Sequence, residues 1–217
     1  MNRRWVVAAL LALCVIGWWY SPVSPRVPEP PAPVVGATAG CPMPARATAG
    51  GAPLQSTVPR SLPAFALEAA TLQPLAGFSI HARVLSREDY SMGREADLSP
   101  TDLALGWQEM ADDAVLSRLD ISQSGRWYRY RWQGEPPLPR ARIVRSSAKM
   151  HMIPSDADVA RTLRQVRAGD RVRIEGWLVE ATAPDGWRWR SSLTRQDTGN
   201  GACELVYVCA IEVGGEL

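Results

Sequence analysis

One lysine, Lys149, serves the whole 217-residue chain, and histidine occurs only as His81 and His151. Neither histidine has a His-x-x-x-His partner, and Cys14, Cys41, Cys203 and Cys209 form no Cys-x-x-Cys pair, so standard zinc spacings are absent. No G-x-S-x-G elbow occurs either. Ser147 with Lys149, or Ser191 and Ser192 with a histidine and Asp197, therefore read as turn serines rather than as activated nucleophiles. No cofactor is implied, and a non-enzymatic reading is preferred. The chain also lacks a basic folding region. The formal charge is +2, but Arg3, Arg4, Arg26, Arg46 and Arg60 all precede Pro63, where Glu29 is the single acid. The remainder carries 19 basic against 21 acidic residues, which makes nucleic acid an unlikely partner.

What is present begins with an apolar run. Arg3 and Arg4 precede 16 uncharged residues, Trp5 to Tyr20, which end in Trp18, Trp19 and Tyr20. As a helix the run would span roughly 24 Å, slightly short of a bilayer core of about 30 Å. The arginine pair and the aromatic end predict an N-terminal transmembrane anchor over residues 1–20, in contact with the bilayer through residues 5–20. The N-terminus would be cytoplasmic and the rest periplasmic, giving a single-pass inner-membrane protein. Cleavage as a signal peptide and lipidation at Cys14 are the alternatives.

Residues 21–63 hold 11 of the 18 prolines and few large apolar side chains. Such a stretch is expected to be a disordered, partly polyproline tether, leaving residues 64–217 as the globular domain. In that domain Phe78, Ile80, Ala82 and Val84 alternate with Ser79, His81 and Arg83, as on a strand with one polar face. "SPTDLALGWQEMADDAVLSRL" predicts a helix from Ser99 with Leu103, Trp107 and Met110 inward, and a second near Asp112. "GRWYRYRWQG" reads as a strand, "ARIVRSSAKMHMIP" as extended, and "SDADVARTLRQVRAGD" as a helix begun by Ser155 and Asp158. "DRVRIEGWLVEA", "PDG" and "WRWRSSL" make a hairpin. "CELVYVCAIEV" closes the chain, with Leu205, Tyr207, Cys209 and Ile211 on one face. The expected class is α+β: a mainly antiparallel sheet or a small, partly open barrel of OB type, with two or three helices.

The stretches "GREADLSPTDLALGW", "MHMIP" and "SSLTRQDTGNGACELVYV" resemble the marker stretches of a family of uncharacterised, membrane-anchored proteobacterial proteins, over roughly Phe78 to Ile211. The resemblance implies no activity.

Candidate chemistry is concentrated near the C-terminus. Trp187 and Trp189 alternate with Arg188 and Arg190, and Trp127 with Arg129 and Arg131. Guanidinium planes over indole rings suit sugars, anionic polymers or another protein. The adjoining "TRQDTGNG" offers Arg195, Asp197, Thr198 and Asn200 on a loop tightened by Gly199 and Gly201. These residues and the neighbouring Trp/Arg strand are the first candidate binding site. His81, His151 and Asp197 are a metal-site alternative. Cys41 could reach Cys203 from the tether, and Cys209 reads as core. The expected function is a membrane-anchored periplasmic binding or assembly domain for an envelope protein or a cell-wall glycan. A metal-dependent envelope hydrolase is the enzymatic alternative, and nucleic-acid binding ranks below both.

Overall fold

The computed structural model describes residues 3–19, 40–194 and 203–214. The apolar run forms a helix, α1 (Arg3–Trp19), with no buried residue. It has 17 residues, and among the described residues no helix is long and apolar enough to cross a membrane.

The folded part is α+β, with a mostly antiparallel, partly closed sheet and few, short helices. Its elements are β1 (Leu54–Ser56), β2 (Phe65–Ala66), β3 (Thr71–Asp89), α2 (Arg94–Leu98), β4 (Thr101–Gly106), α3 (Asp113–Leu116), β5 (Asp120–Ser124), β6 (Trp127–Arg131), α4 (Arg140–Arg145), β7 (Ser147–Pro154), α5 (Ala157–Gln165), β8 (Arg171–Thr182), β9 (Arg188–Arg190) and β10 (Glu204–Val213). Five strands close on themselves in the order β3-β4-β7-β10-β8 and back to β3. The β7–β10 pair is parallel and the other four pairings are antiparallel.

Strand alternation fills the ring. Phe78, Ile80, Ala82 and Val84 of β3 meet Leu103 and Leu105 of β4, Met150 and Met152 of β7, Val172, Ile174 and Leu178 of β8, and Val206 and Val208 of β10. Helix α5 adds Val159 and Leu163, and Val166 just beyond its end completes the cluster. The alternate side chains point outward. There Trp177, Val179, Ala181, Leu205 and Tyr207 build a second core. Gly176 of β8 lies so close to β10 that a Cβ would fall 2.0 Å from the Tyr207 carbonyl oxygen, a contact only glycine avoids.

Several expectations are corrected. Residues 101–106 form a strand, not the helix expected from Ser99, because Asp102 and Ala104 as well as Leu103 and Leu105 find buried neighbours between β3 and β7. Tertiary burial on both faces overrides the local helix signals. The short helix near Asp112 does form, with Asp112 accepting from the Ala114 amide. "ARIVR" is helical, Ser146 caps that helix, and only Ser147 onward is extended. Asp156, rather than Ser155, caps α5 by accepting from the amides of Asp158 and Val159. A bulge between Val208 and Ala210 reverses the alternation, so Ile211 faces the ring interior instead of sharing a face with Leu205, Tyr207 and Cys209.

The folded part also begins before Pro63. Cys41 is disulfide-bonded to Cys209, with Cα atoms 5.2 Å apart, rather than paired with Cys203. The Trp177 indole N–H donates to the Pro42 carbonyl at 2.8 Å, the Ala47 amide donates to Ser79 Oγ at 2.9 Å, and β1 pairs with β3. Val58 and Leu62 pack on the second core. The proline-rich composition is met here by side-chain and strand-edge contacts that need few helix hydrogen bonds.

Candidate functional site

Alternation that sends Leu103, Met150 and Met152 inward sends Asp102, Lys149 and His151 to the outer face of β4 and β7. Asp102 stands directly opposite His151 in the ladder, and Lys149 is two residues away on the same strand face. The result is a buried charge layer. Asp102 is 0% exposed and His151 4%. Asp102 Oδ1 lies 2.7 Å from His151 Nδ1, and Oδ2 lies 3.1 Å from Lys149 Nζ. The chain's single lysine is thus spent on this carboxylate.

Arg126 closes the layer from above. Its Nη1 donates to Asp102 Oδ1 at 3.1 Å and its Nη2 to the Ser99 carbonyl at 3.2 Å. Its guanidinium lies 4.1 Å from the centre of the Tyr90 ring and 5.3 Å from that of Trp189. Tyr90 Oη in turn accepts from the Arg126 amide at 2.9 Å. Burial drives the Asp102 carboxyl upward, but the His151 hydrogen bond, Lys149 and Arg126 outweigh it and hold the group below the usual carboxylate range. Burial holds His151 below its ordinary value despite Asp102, so the ring is neutral at pH 7. Against an ionised carboxylate, Nδ1 carries the hydrogen and donates it. The 3.4 Å approach of Arg126 Nη1 to that nitrogen is therefore a close contact rather than a hydrogen bond.

Arg126 is delivered by a separate two-stranded hairpin, β5–β6, which shares no ladder with the ring among the described residues. Gly125 and Arg126 both have positive φ, 56° and 63°, as the tight turn of a hairpin requires. The inner face carries Tyr128 and Tyr130, their ring centres 5.7 Å apart, with Trp132 stacked on Tyr130. Tyr128 Oη reaches Ser147 Oγ at 3.4 Å, and burial pushes its phenol up to about 12.

Beside the layer lie loop 90–100 and the β8–β9 hairpin. Trp189 packs on His151, ring centres 4.6 Å apart, and on Trp187 at 5.9 Å. Arg94 lies 5.3 Å from the centre of the Trp187 ring and pairs with Asp185 at 2.8 Å. Trp187 and Trp189 thus lie beside the charge layer. Arg188 and Arg190 do not stack on them, because both turn to the opposite face and bind Glu180. Arg190 and then Arg188 hold the Glu180 carboxyl low. The arginines at the rings, Arg94 and Arg126, come from other loops, which adjacency in sequence does not reveal. Of the other alternating strand, Trp127 is 46% exposed on the outer face of β6, away from the layer. Arg195, Asp197, Thr198 and Asn200 lie outside the described residues.

The two histidines do not meet. His151 faces Asp102, whereas His81 is buried opposite Arg173 and held low by burial, Arg173 and Arg171. His81 shares the outer face of β3 with Ser79 and Arg83, as the alternation predicts, and that face is covered, leaving His81 2% exposed. Among the described residues no group of three His, Cys, Asp or Glu side chains could hold a metal ion. An open groove of about 570 Å³ lies elsewhere, lined by Gln108, Arg145 and the paired Glu109 and Arg142. It contains none of the layer's residues. Comparison with protein-family models, with curated proteins and with solved structures finds no match for this chain.

Proposed function

We propose that the domain is a binding module of OB type, displayed in the cell envelope, that takes a cell-wall glycan on the outer face of β4 and β7. Numbered within the ring, the strand order is 1-2-3-5-4-1, with strands 3 and 5 parallel and a helix between strands 3 and 4. Domains of that type bind oligomers on strands 2 and 3 between the loops joining strands 1–2 and 4–5. Here those strands are β4 and β7, and the loops supply Tyr90, Arg94, Trp187 and Trp189.

The observation that carries the reading is a shelf of aromatic rings, Tyr90, Trp187 and Trp189, whose two guanidiniums are already engaged: Arg94 by Asp185 and Arg126 by Asp102. Rings beside satisfied guanidiniums suit a hydroxyl-rich ligand with apolar ring faces better than a polyphosphate. The Cys41–Cys209 disulfide supports an oxidising compartment. The exposed apolar surface of α1, from Trp5 to Trp19, supports association with lipid.

The test is calorimetry of the full chain with soluble cell-wall glycan fragments. Wild type should bind, and Trp189→Ala should weaken binding about tenfold, as for loss of one aromatic contact. Equal binding by both proteins would refute the assignment to this shelf. Binding of single-stranded oligonucleotides with a steep salt dependence would replace the glycan reading by a nucleic-acid one.

A further inference from the structure

The socket around the Arg126 guanidinium has the composition of a cation site: two aromatic faces, Tyr90 and Trp189, a carboxylate, Asp102, and the Ser99 carbonyl oxygen. All four belong to the ring or its loops, whereas the cation that fills them belongs to the β5–β6 hairpin. That hairpin is joined to the ring by side chains, without a shared ladder among the described residues. Arg126 occupies the left-handed region at φ 63°, which a residue with a Cβ adopts at a cost. On the same hairpin both side-chain amide atoms of Gln123 are buried with no partner among the described residues. Native structures seldom leave such groups unmatched. A strained residue on an incompletely satisfied hairpin supplies the plug of a well-built socket.

We infer that this socket is a ligand subsite for an ammonium or guanidinium group, and that Arg126 is its intramolecular occupant, displaced when ligand arrives. The inference rests on the β4–β7 face being the binding face and adds the chemical class of the group it selects.

The experiment titrates the full-length chain with methylguanidinium chloride, against sodium chloride at equal ionic strength. It follows tryptophan fluorescence, the thermal midpoint and hydrogen exchange in residues 120–131. Arg126→Ala should be stabilised by methylguanidinium, and Arg126→Ala/Asp102→Asn should lose that response. Wild type should respond with about tenfold weaker affinity, because its plug must first leave, and hairpin exchange should rise as it does. Should Arg126→Ala fail to fold, Arg126→Lys serves in its place, with a response between those of wild type and an empty socket.

A wild type that remains silent, its hairpin exchange unchanged, overturns the inference and makes Arg126 a fixed ion-pair partner. A stabilising effect of sulfate in place of methylguanidinium also overturns it. Glycan binding that survives such a failure leaves the reading of the face intact. Loss of glycan binding with the methylguanidinium response preserved does the reverse.

Discussion

Two outer faces of the same ring are covered in different ways. On the β8–β10 face the cover is the arm that begins at Cys41. It is fixed by the disulfide to Cys209, by the β1–β3 ladder, and by Arg46 bonded at 3.2 Å to the buried Glu175 carboxylate. On the β4–β7 face the cover is the β5–β6 hairpin, held by Arg126 on Asp102 and Ser99 and by Tyr128 on Ser147. A covalent bond and a backbone ladder make a permanent lining. A few side-chain bonds around a charge layer make a latch, the arrangement that the proposed binding face requires.

Breaking the charge layer should give the largest effect. Asp102→Ala leaves Lys149 and Arg126 without their shared carboxylate in a buried place, and should cost about 3–5 kcal/mol in chemical denaturation. A loss below about 1 kcal/mol would mean that water already screens the layer. Breaking the lining comes next. Cys41→Ser with Cys209→Ser should cost about 2–5 kcal/mol. It should also expose residues 41–58 to protease while leaving ligand binding at the β4–β7 face unchanged.

Acidification separates the faces less sharply, because each carries a histidine whose folded-state affinity for protons is depressed. His151 faces Asp102, Lys149 and Arg126, and His81 faces Arg171, Arg173 and Glu212. A depressed group binds protons more readily when unfolded, so its stabilisation is present above the unfolded value near 6.5 and is lost as pH falls below it. Denaturation midpoints should fall from pH 7 to pH 5, by up to about 1.4 kcal/mol per pH unit for each histidine. His151→Gln should remove its share. Asp102, also depressed, adds its own loss only below the ordinary carboxylate range. The smallest effect is expected for Tyr128→Phe, which removes one hydrogen bond of the latch. It should cost about 1 kcal/mol and raise hairpin exchange more than ring exchange.

What could be read in the sequence was local. Period-two alternation in Phe78 to Val84, the "PDG" hairpin and the α5 stripe all reflect neighbours a few residues apart, and the structure follows them. The strand from Thr101 was illegible because its hydrophobic spacing fits a helix, and only β3 and β7, distant in sequence, make both of its faces buried. The arm was read as tether because proline-rich segments resemble linkers until a disulfide and a strand edge hold them. Trp187 and Trp189 stood out as candidates because tryptophan and arginine alternate along that stretch, a local pattern. Asp102 and Lys149 were hidden, one inside an expected helix and the other as an isolated lysine. Their meeting with His151 is a matter of ladder register, which spacing along the chain does not encode. Arg126 was missed for a related reason: its partners come from loop 90–100, β4, β7 and β9.

Native-state hydrogen exchange on the full chain tests the contrast between latch and lining most directly. Amides of the β5–β6 hairpin should open by a local event, well ahead of β8 and of the β1–β3 ladder, and ligand on the β4–β7 face should change hairpin exchange alone. Hairpin amides that exchange together with β8, through global unfolding, would contradict the account and make both covers permanent.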